Sequence, residues 1–371
     1  MCSRLLDGKA EKSFLWFNLP KIFTASNMKK IVVGTIFSLF SCFLFAETPD
    51  GSVDVLPNSQ LIAPRPPPPG FVPPPLHPGG VVLETRRLSE GVYALMANTP
   101  FNDNAGFVVG KEAVLVIDSH FNGAMGLQIM EAVRRVSDLP IKYLLNTNAF
   151  GDHVFGNYVF PEDTQIIAHQ STIDSLNMSS VEGISQTMAR TVGGDLSVFE
   201  GVKLRVPDVG FNDKWQTDLG DKVVEMYWFG SGMSPHDSVV YVPDSKIAWT
   251  ANLIFGDGSI PWARSGGLEE YRNTLVRLAE TIEPVTIVSG HGNIASGDIV
   301  TRYIDYLNET INIAEESLVA RISANDLVSE ARVPLAYSIR PELKKLMTGF
   351  HRWNLRAAYE EALDKKKFTG S

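Results

Sequence analysis

The sequence is poor in cysteine, with only Cys2 and Cys42 among 371 residues. Both lie before the point at which we expect the chain to be cleaved. A mature chain without cysteine forms no disulfide bond and offers no thiolate ligand to a metal ion. Its stability has to come from packing, and a chain of this length can bury a sizeable hydrophobic core.

The sequence also lacks an excess of positive charge. Its 33 lysine and arginine residues are outnumbered by 42 aspartate and glutamate residues, which gives a formal net charge of -9. Such a chain does not attract nucleic acid through its overall field. We therefore expect no nucleic-acid partner.

The apolar run at residues 31–45 is too short to favour a membrane-spanning helix. Two lysine residues precede it, and Ala46 follows it as a small residue suited to cleavage. This order is typical of an export signal. We predict an upstream extension at 1–27, a signal peptide at 28–46, and a mature protein that is periplasmic or secreted without a stable membrane anchor. An uncleaved anchor is the alternative.

Proline dominates the next segment, residues 47–80, which includes the runs 66–69 and 73–75. Such runs favour polyproline II, a conformation without internal hydrogen bonds. We predict a proline-rich linker that acts as a spacer or as an arm lying on the surface. On this interpretation the fold tolerates its deletion.

From Val81 onward, short apolar runs typical of strands alternate with longer segments of helical periodicity. Met125, Ile129, Val133 and Val136 recur at helical spacing, for example. Strands are predicted at 91–96, 106–109, 113–117, 141–145, 164–168, 202–206, 223–228, 238–242, 247–250 and 285–289, and helices at 269–282, 300–321 and 350–359.

The segment 146–157, NTNAFGDHVFGN, follows one of these apolar strands. It resembles the signature loop of the metallo-β-lactamase-fold hydrolases, Thr-His-x-His-x-Asp-His. Thr147, Asp152 and His153 match that pattern.

The resemblance covers residues 84–317 and keeps the order of the family's motifs. It implies an α/β fold, the αββα sandwich, in a domain at 81–317. In that architecture helices cover the outer faces of two sheets. A helical C-terminal extension is expected at 318–371.

The positions that hold a first metal ion in this family carry poor ligands here. Asn148 and Phe150 stand where the signature has two histidines, and Met233 stands at the third. Phenylalanine cannot ligate a metal, asparagine is weak, and methionine is a soft thioether. Asn252 replaces the aspartate that bridges two metals. The resemblance therefore implies that this first site is lost.

The remaining ligand positions of the family are occupied by Asp152, His153 and His291. The resemblance implies that they hold one metal ion with coordination positions left open. Zinc is the expected ion. Iron is the alternative, because two histidines and a carboxylate also form the facial triad of non-haem iron.

The implied function is hydrolysis of an ester, lactone or amide by a hydroxide bound to the metal. Asp152 and Asn252 are the predicted catalytic residues, and Asn252 or Asn148 would orient water or an oxyanion. The alternative is a non-catalytic protein that binds a ligand or partner in the same cleft. Phe150 and Met233 would then make the former metal pocket apolar.

Four further residues surround the predicted site. In the family, an aspartate in the position of Asp118 supports the ligands from behind. His236 is an alternative ligand. Phe255 and Trp262 lie in a loop expected to form either an apolar wall for a substrate or a surface packed on the core.

Overall fold

The computed structural model describes residues 66–329, 331–334 and 337–369. The predicted signal peptide, the extension before it, both cysteines and the first part of the proline-rich segment lie outside these residues. Within them, no helix is both long and apolar enough to span a membrane.

Two sheets form the centre of the fold. The first has seven strands in chain order, antiparallel up to the fourth and parallel from there on: β1 (Leu83–Ser89), β2 (Val92–Ala97), β3 (Ala105–Val109), β4 (Val114–Ile117), β5 (Ile141–Asn146), β6 (Gln165–His169) and β7 (Val209–Phe211). The second has six, in the spatial order β13-β12-β11-β10-β9-β8: β8 (Lys214–Asp218), β9 (Val223–Tyr227), β10 (Val239–Val242), β11 (Ile247–Ala251), β12 (Thr286–Ser289) and β13 (Ala295–Ser296).

Helices cover both sheets. They are α1 (Gly123–Arg134), α2 (Gly151–Val154), α3 (Gln170–Asn177), α4 (Val181–Met188), α5 (Leu268–Thr281), α6 (Ile299–Val319), α7 (Ala324–Ser329) and α8 (Lys344–Thr369). Side chains of β4 show the layering, because successive residues of a strand point to opposite faces. Leu115 and Ile117 pack between the sheets, whereas Val114 and Val116 pack with α1. A third core joins the second sheet to α5, α6 and α8. The predicted αββα sandwich with a helical C-terminal extension is confirmed.

The predicted site residues follow strand ends. Asp118 follows β4, and Thr147 follows β5, its parallel neighbour. In the second sheet, Asn252 follows β11, and His291 comes two residues after β12, which is parallel to it. Ligand sites in open α/β sheets form where the carboxyl ends of parallel strands meet.

The strand predicted at 202–206 is wrong. Val202, Leu204 and Val206 do pack on the core, so the alternating apolar pattern correctly predicts which side chains face inward. However, the segment joins neither sheet. The carbonyl of Arg205 accepts a hydrogen bond from Asn157 Nδ2 instead of a ladder partner.

The C-terminal helix α8 reaches the site side of the molecule. Asn354 accepts a hydrogen bond from Ala263 N at 2.9 Å and donates one to Pro261 O at 2.7 Å. These bonds hold the loop that carries Trp262 against α8. The ring of Trp262 stacks on Phe350 with centroids 4.6 Å apart.

The described part of the proline-rich segment packs on this loop and helix. Phe71 lies 5.1 Å from Trp353 and 5.6 Å from Trp262, centroid to centroid. Its carbonyl accepts a hydrogen bond from Arg190 Nη2 at 2.9 Å, and Leu76 N donates one to Thr191 O at 2.8 Å. The segment from Pro66 onward is therefore an arm on the surface, one of the two expected forms. Its contacts lead us to expect that deleting this part destabilises the fold, contrary to the prediction from the sequence.

We predict that Phe71→Ala lowers the free energy of unfolding by about 3 kcal/mol, the lower end of the range for removing a buried phenylalanine. Phe71 is 8% exposed, whereas its neighbour Val72 is 56% exposed. Val72→Ala is therefore a matched control that should change stability by less than about 0.5 kcal/mol. Urea unfolding of the three proteins tests this, and equal midpoints for both variants would contradict the packing.

Candidate metal centre

Asp118 organises the loop that follows β5. Its Oδ1 accepts a hydrogen bond from Thr147 N at 2.8 Å, and its Oδ2 accepts one from Thr147 Oγ1 at 2.7 Å. His153 Nδ1 lies 2.9 Å from the same Oδ2. A ring nitrogen facing a carboxylate carries the hydrogen, so Asp118 fixes the orientation of His153, as expected from the sequence.

His291 is fixed in the same way by a different acceptor. Its Nδ1 donates to Phe101 O at 2.9 Å, because a carbonyl oxygen can only accept. Asn104 joins the loop between β2 and β3 to the loop that carries His291. Its Nδ2 donates to Ser289 O at 2.9 Å and to Gly292 O at 2.8 Å. Burial lowers the pKa of His291 to about 4, with Asp152 opposing the shift. The ring is therefore neutral at pH 7, and Nε2 carries a free lone pair.

Asp152 lies between the Nε2 atoms of the two histidines. Its Oδ2 is 3.5 Å from His291 Nε2 and 3.9 Å from His153 Nε2. His153 Nε2 is buried and has no hydrogen-bond partner. Two ligand atoms on one tetrahedral zinc lie roughly 3.4 Å apart, given zinc–ligand bonds of about 2.1 Å. The three predicted ligands therefore suit one ion in chemistry, and the two distances from Asp152 are close to this spacing.

Sequence reasoning missed a second carboxylate beside His153. Asp103 Oδ2 lies 3.4 Å from His153 Nδ1, on the side of the ring opposite Asp152. Asp103 is 1% exposed, and neither carboxylate oxygen has a hydrogen-bond partner. One ligand atom from each of Asp103, His153 and His291 lies within 4.8 Å of the others. Asp103 is thus a further candidate for the metal centre.

The charge around His153 is strongly negative. Burial lowers the pKa of its ring, but Asp103, Asp118 and Asp152 outweigh burial and raise that pKa to about 10. Burial also raises the pKa of Asp103 well above its ordinary value. A cation is therefore favoured here, and metal binding would release the proton from His153 Nε2.

Strained backbone surrounds the centre. Phe101, Asp118, His120 and Ala251 have φ between 43° and 71°, and they are four of the six described non-glycine residues with positive φ. Each of the four makes a hydrogen bond in or next to the centre. Phe101 holds His291, and Asp118 holds His153. His120 bonds to Asp103 O, and Ala251 O accepts from Gly290 N. Such strain clusters at functional sites.

The residues at the first metal positions do not form a metal site. Asn148 Oδ1 accepts a hydrogen bond from Phe150 N at 2.9 Å, which leaves its Nδ2 buried without a partner. Asn252 Oδ1 is likewise buried without a partner. His236, the alternative ligand, instead lies 3.1 Å from Ser171 Oγ. We therefore assign no metal to these positions.

A cavity of about 300 Å³ opens onto the centre. It is lined by Asp152, His291 and Asn252, by Phe150 and Met233, by Phe255 and Trp262, and by arm residues including Phe71. Phe255 and Trp262 are both buried and pack on the core, yet they also line this cavity. They therefore pack on the core, as one expectation had it, and they also form part of the cavity wall.

Comparison with known proteins agrees with this geometry. A family model described as the metallo-beta-lactamase superfamily matches residues 98–291, which are 194 of the 371 residues. The chain belongs to the metallo-beta-lactamase superfamily. The match ends at His291, the last of the predicted metal ligands.

One solved structure of a metallo-beta-lactamase shows the same fold, and two further solved structures are similar. A metallo-beta-lactamase from Pontibacter korlensis is 17% identical, with a TM-score of 0.50 over 61% of this chain and 99% of that chain. TMB-1 is 15% identical, with a TM-score of 0.49 over 62% and 98% of the two chains. VMB-1 is 16% identical, with a TM-score of 0.49 over 62% and 99%. At these identities the likeness concerns the fold alone.

Proposed function

We propose that this superfamily member is an exported, mononuclear zinc hydrolase that cleaves an ester, lactone or amide bond of a small molecule. One observation carries the proposal. Two buried imidazoles, each with Nδ1 held by an oxygen, direct Nε2 toward Asp152 beside a cavity. Iron remains the alternative ion, since it accepts the same ligand types.

Asp152 and Asn252 have separate roles in the proposed reaction. A bound divalent ion would polarise the substrate carbonyl and lower the pKa of a water molecule. Asp152 lines the cavity and would accept a proton from the attacking water and return it to the leaving group. Asn252 would orient that water through Oδ1, its unpartnered acceptor.

Asn148 suits a different task, because its free atom is a donor. Its Oδ1 is engaged by Phe150 N, so only Nδ2 is available. A preorganised donor of this kind stabilises the oxyanion of acyl transfer. We assign this role to Asn148.

The test combines metal content with turnover. We expect zinc in the purified mature protein and hydrolysis of at least one of 4-nitrophenyl acetate, a γ-lactone and a β-lactam. Dialysis against a chelator should remove the activity, and zinc should restore it. Asp152→Asn should remove the activity as well.

A non-catalytic binding protein is the second candidate. Phe150 and Met233 stand where two metal ligands would be and line the cavity, which makes its wall apolar. Stoichiometric zinc without turnover of any of the three substrates would favour this alternative. Export is tested separately by N-terminal sequencing of secreted material, which should begin near residue 47.

A further inference from the structure

The proline-rich arm, residues 66–80, forms one wall of the cavity at the metal centre. Phe71, Pro74 and Leu76 of this arm line the cavity together with His291, and all three arm side chains are buried. Pro74 and His291 also line a second gap of only about 10 Å³, which is barely enough for one water molecule. The arm therefore lies directly beside a predicted metal ligand.

The arm crosses the cavity from one layer of the sandwich to the other. Phe71 belongs to the core of the second sheet and α8, whereas Leu76 belongs to the core of the first sheet and α1. An extended proline-rich segment rises about 3.1 Å per residue, so these two residues can lie roughly 15 Å apart. This reach exceeds the distance of about 10 Å between two stacked sheets. The arm is thus long enough to bridge both layers at their edge.

Hydrogen bonds to the segment after α4 hold the arm in this position. Arg190 Nη2 donates to Phe71 O at 2.9 Å, and Leu76 N donates to Thr191 O at 2.8 Å. The prolines between these two points have a fixed φ. An arm of this composition has few alternative conformations, so little entropy is lost when it is ordered over the cavity.

Phe71 separates the cavity from a larger space outside it. The cavity has a volume of about 300 Å³, which is at the lower end of the range of roughly 300–1,000 Å³ for ligand sites. Phe71 also lines an outer groove of about 630 Å³ between the arm and the start of α8. Its ring packs against Trp262 and Trp353, which line the cavity as well. Removing this ring would join the two spaces.

We infer that the arm, with Phe71 as its central residue, selects ligands by size, so that compact, apolar molecules reach the metal centre and bulky ones are excluded. The selection deepens the proposed function and rests on it where the ligand is called a substrate. The substrate is then an ester, lactone or amide with a compact apolar acyl group. The exclusion itself concerns access to the cavity, with or without turnover.

The test measures access to the cavity with a single thiol. Cys2 and Cys42 are the only cysteines of the chain, so Cys2→Ser and Cys42→Ser give a background without thiols. Met188→Cys then places one thiol on the cavity wall, at a position that is 5% exposed. Mass spectrometry of the intact protein follows its reaction with methyl methanethiosulfonate and with 1-pyrenylmethyl methanethiosulfonate. These reagents share a reactive group and differ in size, and N-acetylcysteine supplies the reference rate for each.

With the native arm, the pyrenylmethyl reagent should react at least about 100-fold more slowly than the methyl reagent, because it reacts only in molecules whose arm has opened locally. Phe71→Ala should raise the pyrenylmethyl rate at least about tenfold and change the methyl rate less than about threefold. Arg190→Gln, which removes a hydrogen bond to the arm, should also raise the pyrenylmethyl rate. Val72→Ala is the matched control, since its side chain is 56% exposed, and it should change neither rate.

Three results would overturn the inference. They are equal relative rates for the two reagents with the native arm, no reaction of the methyl reagent, or an exclusion of the pyrenylmethyl reagent that persists in both Phe71→Ala and Arg190→Gln. If Phe71→Ala unfolds, both rates rise together to those of the protein in urea, and Arg190→Gln decides alone. An absence of hydrolysis would overturn the proposed function and leave these rates unaffected, so the two failures are distinguishable.

Discussion

His291→Ala is expected to reduce the zinc content of the protein from one ion per chain to background. Zinc sites of this kind need three protein ligands, and the alanine leaves Asp152 and His153. The stabilisation by zinc should disappear at the same time. At a thousandfold excess of free zinc over its dissociation constant, that stabilisation is about 4 kcal/mol.

His236→Ala is the matched control for this variant. His236 is 6% exposed and His291 is 8% exposed, so both substitutions remove a buried imidazole. His236 hydrogen-bonds to Ser171 and belongs to none of the described metal-ligand groups. Elemental analysis after dialysis, together with thermal unfolding with and without zinc, distinguishes the variants. One tightly held ion in His291→Ala, or equal loss in both variants, would contradict the assignment.

The sequence predicts the layered fold and much of the centre because the relevant signals are local. The apolar runs predict most of the strands, and the resemblance to the metallo-β-lactamase fold predicts that they form two sheets. Thr147, Asp152 and His153 lie in one motif, and Asp118 follows a predicted strand. Their hydrogen bonds are consistent with these predictions.

Asp103 was missed because it has no local signal. It lies between two asparagines in the loop from β2 to β3, where such residues are typical of a turn. Only the tertiary fold brings it to 3.4 Å from a ring nitrogen that is 50 residues away in the sequence. The packing of the arm was missed for a related reason, since Phe71 is a lone aromatic residue among prolines and has no periodicity.

The two carboxylates beside His153 face different nitrogens of its ring, so they imply different positions for the metal ion. Asp152 faces Nε2, the nitrogen without a partner, whereas Asp103 faces Nδ1, which already donates to Asp118. A ring nitrogen that carries a hydrogen cannot ligate a metal at the same time. We therefore expect Asp152 to ligate the ion and Asp103 to act on it through charge.

Asp152→Asn should abolish stoichiometric zinc binding, whereas Asp103→Asn should retain one zinc with an affinity lowered about 10–100-fold, as for groups that support a ligand. Competition with a chelator of known affinity gives both dissociation constants. If instead Asp103→Asn loses zinc and Asp152→Asn keeps it, the ion lies on the Nδ1 side of His153. In that case Asp103, and not Asp152, is the carboxylate ligand of the ion.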